Sequence, residues 1–181
     1  MSFADSDLIA RVLANDDRNA FGELVRRYQS DVRQFLRRLT RDDAARADDL
    51  AQETFVKAYR SLRQFHGDAK FSSWLYRIAH RSFLNDLRKR RESLSVEGDF
   101  DHLPAPGKNP SVAMAVDVRQ ALKQLSVEEQ AVFDLHYRKG MTHAETSAVL
   151  ELPLGTVKTH LSRGKEKLKS LLKDWKRHDN R

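Results

Sequence analysis

The chain has 181 residues, and its composition of 40% hydrophobic and 33% charged residues is too apolar for wholesale disorder. It contains no cysteine, which excludes disulfides, thiolate nucleophiles and cysteine-ligated zinc, and no apolar run reaches the ~18 residues that a membrane-spanning helix needs. The 33 basic residues outnumber the 26 acidic ones, and the net charge of +7 predicts a polyanionic partner, nucleic acid first and an anionic membrane surface second.

The first residues lack the basic and apolar halves of a signal peptide, so a cytoplasmic location without membrane insertion is expected. Helical periodicity dominates and convincing strands are absent, so an all-α fold is predicted. The first predicted domain, residues 1–91, is a helical bundle whose helices cover about residues 5–14, 17–39, 43–63 and 72–91. Ser72 stands where the N-cap of the last helix is expected. That helix has one apolar stripe, expected to be buried, formed by Leu75, Ile78, Ala79, Phe83 and Leu87.

Residues 92–111 are predicted to be a flexible, acidic linker that contains Pro and Gly. They hold three of the four prolines, and four acidic residues stand against one lysine. Such a segment cannot bury enough apolar surface to fold by itself. Residues 93–111 span at most about 60 Å when fully stretched, but a flexible chain of that length averages only ~25 Å between its ends. Two DNA-binding modules at its ends therefore need a scaffold that holds it extended.

The second predicted domain, residues 112–181, contains a helix-turn-helix. One capping box opens at Ser126 and another at Thr142, and each predicts the start of a helix. The short helix from Thr142 to about Leu150 is followed by a tight turn and a longer basic helix. The predicted fold is therefore two small helical domains joined by the linker, the second a helix-turn-helix.

The longer basic helix is the candidate recognition helix. The N-terminal turns of such a helix contact base edges, whereas its later lysines reach phosphates and position it without reading sequence. The structural alternative is an ordinary solvated face of an amphipathic helix. The candidate base readers are Lys158, Thr159, Ser162 and Arg163.

Aromatic and cationic residues alternate at the end of the first domain, in a loop with Gly67 at its bend and in the helix after it. This mixture suits unpaired bases, because every base has a face to stack and every nucleotide has a phosphate, and the loop could hold an extruded base. The structural alternative is that Phe65, Phe71 and Trp74 belong to the core, and that the basic end of the helix complements its dipole. The cations on the helix face opposite the apolar stripe are Arg77, Arg81 and Arg88.

A polar stripe accompanies the buried stripe of the predicted third helix, and it favours a protein-partner face. Carboxylates near a helix start can also be mere partners of the helix dipole. A metal-dependent nuclease using Asp48, Asp49 and Glu53 is an alternative from another class, but no histidine at ligand spacing supports it. No catalytic motif is found, so no enzyme activity, cofactor or metal site is expected. The stripe consists of Asp49, Gln52, Glu53, Val56 and Arg60.

Three motifs occur in order along nearly the whole chain, ADDLAQETFVKAY at residues 47–59, FHGDAKFSSWLYRIA at 65–79 and PLGTVKTHLSRGK at 153–165. Together they resemble the bacterial extracytoplasmic-function (ECF) sigma factors, small members of the sigma-70 class. The first resembles the segment that docks on the RNA polymerase β′ coiled coil, the second the −10 recognition and strand-opening segment, and the third the −35 recognition helix. The chain departs from the family pattern at Glu151, a turn position where glycine is frequent, and at Gly164, where alanine is common and glycine should cost about 1 kcal/mol of helix stability.

The resemblance implies a promoter-specificity subunit that makes and breaks no bonds. Its partners would be the polymerase core, through the β′ coiled coil and the β flap, promoter DNA in duplex and single-stranded form, and an anti-sigma factor. The polymerase-binding residues would be Asp48, Asp49, Gln52, Glu53, Val56 and Arg60. The −10 residues would be Phe65, His66, Gly67, Asp68, Lys70, Phe71, Trp74, Arg77, His80, Arg81, Asn85 and Arg88. The −35 residues would be Thr156, Lys158, Thr159, His160, Ser162, Arg163, Lys165 and Lys167.

A stand-alone helix-turn-helix transcriptional regulator is the alternative, because residues 156–160 (TVKTH) also resemble helix-turn-helix units of response regulators. A receiver-like α/β domain should then precede the helix-turn-helix, and the sequence shows no pattern of alternating strands and helices that would form one.

Overall fold

The computed structural model describes residues 4–97 and 121–178, which form two helical regions with no β-strand in either range. The prediction of an all-α fold is confirmed. No helix in the described ranges combines the length and the apolar character that crossing a bilayer requires.

Four α-helices and one short 3-10 helix build the first region. The bounds are Asp5–Asn15 for α1, Arg18–Leu39 for α2, Ala44–Ser61 for α3, Leu62–Gln64 for the 3-10 helix and Phe71–Glu97 for α4. Aspartates cap the second and third helices: Asp17 accepts hydrogen bonds from the backbone N–H groups of Asn19 and Ala20, and Asp43 accepts one from Arg46. The predicted helices 5–14, 17–39 and 43–63 agree with α1 to α3 within two residues at each end.

The core of the first region lies between the apolar faces of these helices. Phe35 of α2 is fully buried and meets the ring of Tyr76 of α4 edge to face, at 5.3 Å between centroids. The predicted stripe of α4 is buried at Leu75, Ala79 and Phe83, and half-buried at Ile78 and Leu87. Polar Ser73, His80 and Ser82 are buried on the same helix, so its inner surface is wider than the apolar stripe alone.

The predicted start of α4 is wrong by one residue. The helix begins at Phe71, and the backbone N–H of Trp74 donates to the carbonyl of Lys70 at 3.2 Å, so Lys70 and not Ser72 occupies the capping position. The reason is tertiary: Phe71 is buried against Tyr28, which draws it into the first helical turn.

The predicted end of α4 at residue 91 is also wrong, because the helix continues to Glu97. Residues 92–97 of the predicted linker are therefore helical. Arg88 pairs with Glu92 and Asp86 with Arg90, both at 3.9 Å and four residues apart, which supports the last turns. The first helix breaker in the sequence, Gly98, comes directly after. The rest of the predicted linker, and residues 112–120 of the second predicted domain, lie outside the described residues.

The second region contains the predicted helix-turn-helix. After a helical segment at 121–123, α5 spans Val127–Phe133 and runs into a π-helical turn, Asp134–Arg138; α6 spans His143–Leu150 and α7 Leu154–His178. Both capping boxes are confirmed: Ser126 and Thr142 each accept from the backbone N–H three residues on, and the glutamate at that position accepts from the backbone N–H of the cap.

The turn between α6 and α7 has its strained residue where the sequence departs from the family pattern. Glu151 adopts a left-handed conformation with φ 57°, which costs an L-residue about 1 kcal/mol that glycine avoids. Its backbone N–H donates to the carbonyl of Ser147, and the Ser147 hydroxyl donates to the carbonyl of Leu152 at 2.5 Å. These bonds hold the tight turn that leads into the recognition helix.

Candidate protein and nucleic-acid interfaces

One side of α3 is polar and exposed, while the opposite side, with Leu50 and Ala58, is buried. The centre of the exposed side is apolar, because the side chain of Val56 is 49% exposed there. An apolar centre with a polar rim is the composition of many protein interfaces, and it agrees with the predicted partner face. The exposed residues on this side are Asp49, Gln52, Glu53, Val56 and Arg60.

Two carboxylates on this side are ion-paired within the first region. Asp48 is half-exposed and lies 2.7 Å from Arg33 Nε on α2, and Glu53 Oε1 lies 2.6 Å from Lys57 Nζ. Carboxylates already neutralised by cations make a poor ligand set for a divalent ion. In the described ranges no group of three or more histidine or acidic residues is placed to hold a metal ion.

The aromatic and cationic segment forms a loop, residues 65–70, that leads into α4. Gly67 has φ 82°, in the left-handed region, as its predicted place at the bend requires. His66, Asp68 and Lys70 are exposed around it. The loop therefore presents polar side chains on both sides of Gly67, where the exposed backbone carries no side chain.

Three aromatic rings pack behind this loop. Phe65, Phe71 and Trp74 have centroids 5.4 to 5.7 Å apart. Phe71 is only 4% exposed, so its own ring is part of the core, as the structural alternative held, and it positions the other two. Phe65 and Trp74 are half-buried, so part of each ring remains open to a base.

The outer face of α4 carries the remaining candidates for strand contact. Arg81, Asn85 and Arg88 are exposed and Arg77 is half-buried, whereas His80 is only 8% exposed. Contact between the His80 side chain and DNA stays a prediction, and it would need the part of the residue that is exposed. Sequence reasoning missed Leu84, which is 44% exposed and lies one helical turn from both Arg81 and Arg88; that spacing was the signal available.

The first turns of α7 expose the predicted base readers. Val157 and Leu161 are buried, whereas Lys158, Thr159, Ser162 and Arg163 are exposed and Thr156 and His160 are half-buried. Thr159 donates its hydroxyl to the carbonyl of Gly155 at 2.9 Å, which leaves the oxygen as an acceptor on the open side. The arrangement is that of a helix able to enter a major groove.

Two later lysines of α7 contact α5 and the π-helical turn. Lys167 Nζ lies 2.8 Å from both carboxylate oxygens of Glu129, and Lys165 Nζ lies 5.6 Å from the ring centroid of Tyr137. Lys167, predicted to contact DNA, is thus ion-paired inside the second region, where its charge holds α7 against α5. Its side chain is still 50% exposed, so the contact with a phosphate stays a prediction. Lys165 is exposed despite its contact with Tyr137.

Glu129 is the buried partner of this contact. Burial alone would raise the pKa of its carboxyl group, but the hydrogen bond from Lys167, the backbone N–H of Ser126 and the charge of Lys167 outweigh burial and lower the pKa below its ordinary value. The same carboxylate completes the capping box of α5. Sequence reasoning assigned Glu129 only the capping role, because no local pattern predicts the approach of a residue 38 positions away.

Gly164 lies where α7 crosses Phe133 of α5. A Cβ at this position would meet the Phe133 ring at 2.4 Å, so glycine allows an approach that alanine does not. Glycine at this position lowers the intrinsic stability of the helix, as expected, but it also allows α7 to pack closely against Phe133.

Comparison with known proteins agrees with this geometry. The family model of sigma-70 region 2 matches residues 24–93, and that of sigma-70 region 4 matches residues 115–168. The RNA polymerase sigma-H factor of Pseudomonas aeruginosa is 34% identical over 182 residues, covering 93% of this chain and 93% of the relative. The ECF RNA polymerase sigma factor SigM of Mycobacterium tuberculosis is 33% identical and covers 93% of this chain and 85% of its own length.

Two solved structures are also similar. One is the sigma factor RpoE in complex with the anti-sigma factor NepR from Bartonella quintana, with a TM-score of 0.70 and 27% identity over 84% of this chain and 96% of that one. The other is CnrH in complex with the cytosolic domain of CnrY, with a TM-score of 0.69 and 28% identity over 95% and 99%. From both matched regions and these relatives, the chain belongs to the ECF sigma factors of the sigma-70 family, which bind RNA polymerase core and promoter DNA to initiate transcription and are not enzymes.

Proposed function

We propose that the outer side of α3, hereafter the docking face, holds this sigma factor on the β′ coiled coil of RNA polymerase. The observation that carries the proposal is Val56, an apolar side chain 49% exposed at the centre of polar neighbours. A coiled coil presents charged and polar side chains along its outer positions, which a polar rim can match while the centre is desolvated. The docking face consists of Asp48, Asp49, Gln52, Glu53, Val56 and Arg60.

The loop 65–70 and the outer side of α4 form the proposed −10 site. An extruded base would lie in the loop beside the open parts of Phe65 and Trp74. Stacking a base on an aromatic ring contributes about 1–3 kcal/mol, comparable with the few kcal/mol that unstacking costs, so capture biases the duplex toward melting. The strand's phosphates would meet the cations of α4, and Arg81 and Arg88 are the exposed ones.

The first turns of α7 form the proposed −35 site. Their exposed side chains can donate to or accept from base edges in the major groove, and Arg163 can contact guanine with two hydrogen bonds. Lys165 is proposed as a phosphate contact, because it is exposed and its ammonium lies 5.6 Å from the centroid of the Tyr137 ring. The similarity to the family supports the β flap as a further polymerase contact of the second region.

An anti-sigma partner is proposed from the two similar structures, which hold their sigma factors in complexes of this kind. Such a partner would regulate this chain by covering the docking face, since Val56 and Glu53 cannot contact two proteins at once. Core polymerase and the anti-sigma partner would then compete for the docking face. When excess core is added to the sigma–anti-sigma complex, the rate at which core binds the sigma factor should be limited by the rate at which the anti-sigma partner dissociates.

Substitutions on the two proposed surfaces should separate their functions. Gln52→Ala should weaken association with purified polymerase core by about tenfold, because truncation leaves a partner group desolvated and unpaired. Gln29→Ala, the same change on an exposed position of α2, should leave core affinity unchanged. Arg163→Ala should keep core affinity but weaken −35 duplex binding by the holoenzyme by about 1–3 kcal/mol. Equal core affinities of Gln52→Ala and Gln29→Ala would overturn the docking face.

A further inference from the structure

Lys57 contacts a residue of the docking face and a buried residue of α4, the helix whose outer side forms part of the proposed −10 site. Its Nζ lies 2.6 Å from Glu53 Oε1 on the docking face, and it donates to Ser82 Oγ on α4 at 3.1 Å. Ser82 directly follows Arg81, a proposed strand contact. Lys57 lies in the first motif but is not among the predicted polymerase-binding residues. A glutamate four residues before a lysine on a helix nevertheless predicts an ion pair.

The two partners of Lys57 differ in their access to other molecules. The side chain of Glu53 is 45% exposed and that of Lys57 is 41% exposed, whereas Ser82 is 1% exposed. Ser82 is thus a fixed, buried anchor, and Glu53 is the partner that an approaching protein can reach. The three N–H groups of an ammonium can serve both partners at once.

We propose that Lys57 couples polymerase docking to capture of the −10 strand, an inference that rests on the proposed function. In the free sigma factor the Glu53 carboxylate neutralises the Lys57 ammonium. When a polymerase cation takes over the Glu53 carboxylate, the ammonium stays beside α4 through Ser82 and its charge is no longer neutralised. The positive potential along the strand-binding side of α4 then rises, and phosphates of the displaced strand bind more tightly.

The exchange of partners is feasible because an exposed pair four residues apart on a helix is weak and easily replaced by a desolvated one at an interface. Thermodynamic reciprocity adds a consequence: if docking tightens strand binding by some factor, the bound strand must tighten core binding by the same factor. A sigma factor built in this way avoids single strands while free and holds them once it is docked.

The test compares free sigma factor with holoenzyme assembled from the full chain and polymerase core. The probe is a labelled non-template oligonucleotide spanning the −10 element of a promoter that the wild-type holoenzyme transcribes. We expect the wild type to bind this strand at least tenfold more tightly as holoenzyme. Lys57→Met should keep core affinity within about twofold, but its gain in strand affinity on docking should be three- to tenfold smaller than that of the wild type. The salt dependence of strand binding by the holoenzyme should fall by about the equivalent of one phosphate contact.

Two further variants separate charge from anchoring. Lys57→Arg keeps the charge and should retain most of the gain. Ser82→Ala keeps the Glu53–Lys57 pair but removes the anchor, so it should reduce the gain without changing core affinity. Arg26→Met is the matched control: it removes another exposed cation that is ion-paired on its own helix, with Glu23 at 2.7 Å, and it should retain the full gain.

The outcomes distinguish this inference from the function on which it rests. No gain in the wild type would refute strand capture by the docked sigma factor itself. A wild-type gain that Lys57→Met retains in full would overturn the coupling role alone. A Lys57→Met variant that loses core affinity and keeps the ratio between docked and free strand affinities would show an ordinary docking residue, and it would also overturn the coupling.

Discussion

Replacing Gly164 by alanine should destabilise the second region, although helix propensity alone favours alanine by about 1 kcal/mol. The new Cβ would lie 2.4 Å from Cε2 and 3.0 Å from Cζ of Phe133. That ring is buried and packs on Tyr137 with centroids 5.2 Å apart, so it has little room to move away. Overpacking of this kind costs about 1–3 kcal/mol, and subtracting the propensity gain leaves an expected net loss of about 1 kcal/mol.

Amide hydrogen exchange on the full chain measures this change locally. Amides of α5 and α7 should exchange about fivefold faster in Gly164→Ala, the equivalent of 1 kcal/mol, while amides of α2 serve as the internal reference and should not change. In a Phe133→Leu background the ring is absent, the propensity term prevails, and the same substitution should slow exchange. Slower exchange already in the wild-type background would refute the packing argument.

Three other changes test the second region. Glu151→Gly should raise stability by about 1 kcal/mol, since glycine adopts φ 57° without strain; a lowered melting temperature would contradict this. Thr146→Val should preserve or raise the melting temperature, because the buried Thr146 hydroxyl has no hydrogen-bond partner among the described residues; a loss above about 1 kcal/mol would show that it has one. The lowered pKa of Glu129 means that its carboxylate stabilises the fold above the ordinary value of 4.5, and that this contribution is lost as the pH falls through the lowered pKa. Denaturant unfolding from pH 7 to 3 should therefore show a shallower pH dependence for Glu129→Gln, and identical curves would argue against the Lys167 pair.

Local signals predicted the helix starts of the second region well. Ser126 and Thr142 each cap a helix through bonds that span only three residues, so their pattern is complete in the sequence. The predicted end of α4 is too early, because the acidic composition after residue 91 is typical of a linker, whereas glutamate is a good helix former and the first breaker is Gly98. The start of α4 depended on burial of Phe71, which a local capping rule does not contain.

The candidate site was predictable to the extent that it follows helical spacing. The residues of the docking face recur at helical spacing in the sequence, so they are predicted to lie on one side of α3. Their exposure follows from the apolar stripe of the same helix, which is buried. Aromatic and basic residue types suit DNA and so predict contacts from Phe71 and His80, but the burial of both residues depends on packing between helices. For the same reason the contacts of Lys57 with Ser82 and of Lys167 with Glu129 became visible only in three dimensions.

The central claim is that promoter choice comes from two helical modules carried by the polymerase. Mapping transcript starts from purified core polymerase on a library of genomic fragments, with and without this chain, tests it most directly. We predict that the chain adds a discrete set of starts, preceded at fixed spacing by two sequence elements, and that Gln52→Ala/Glu53→Ala abolishes them while Gln29→Ala does not. An unchanged start pattern on addition of the chain, or discrete starts that survive loss of the docking face, would contradict the account.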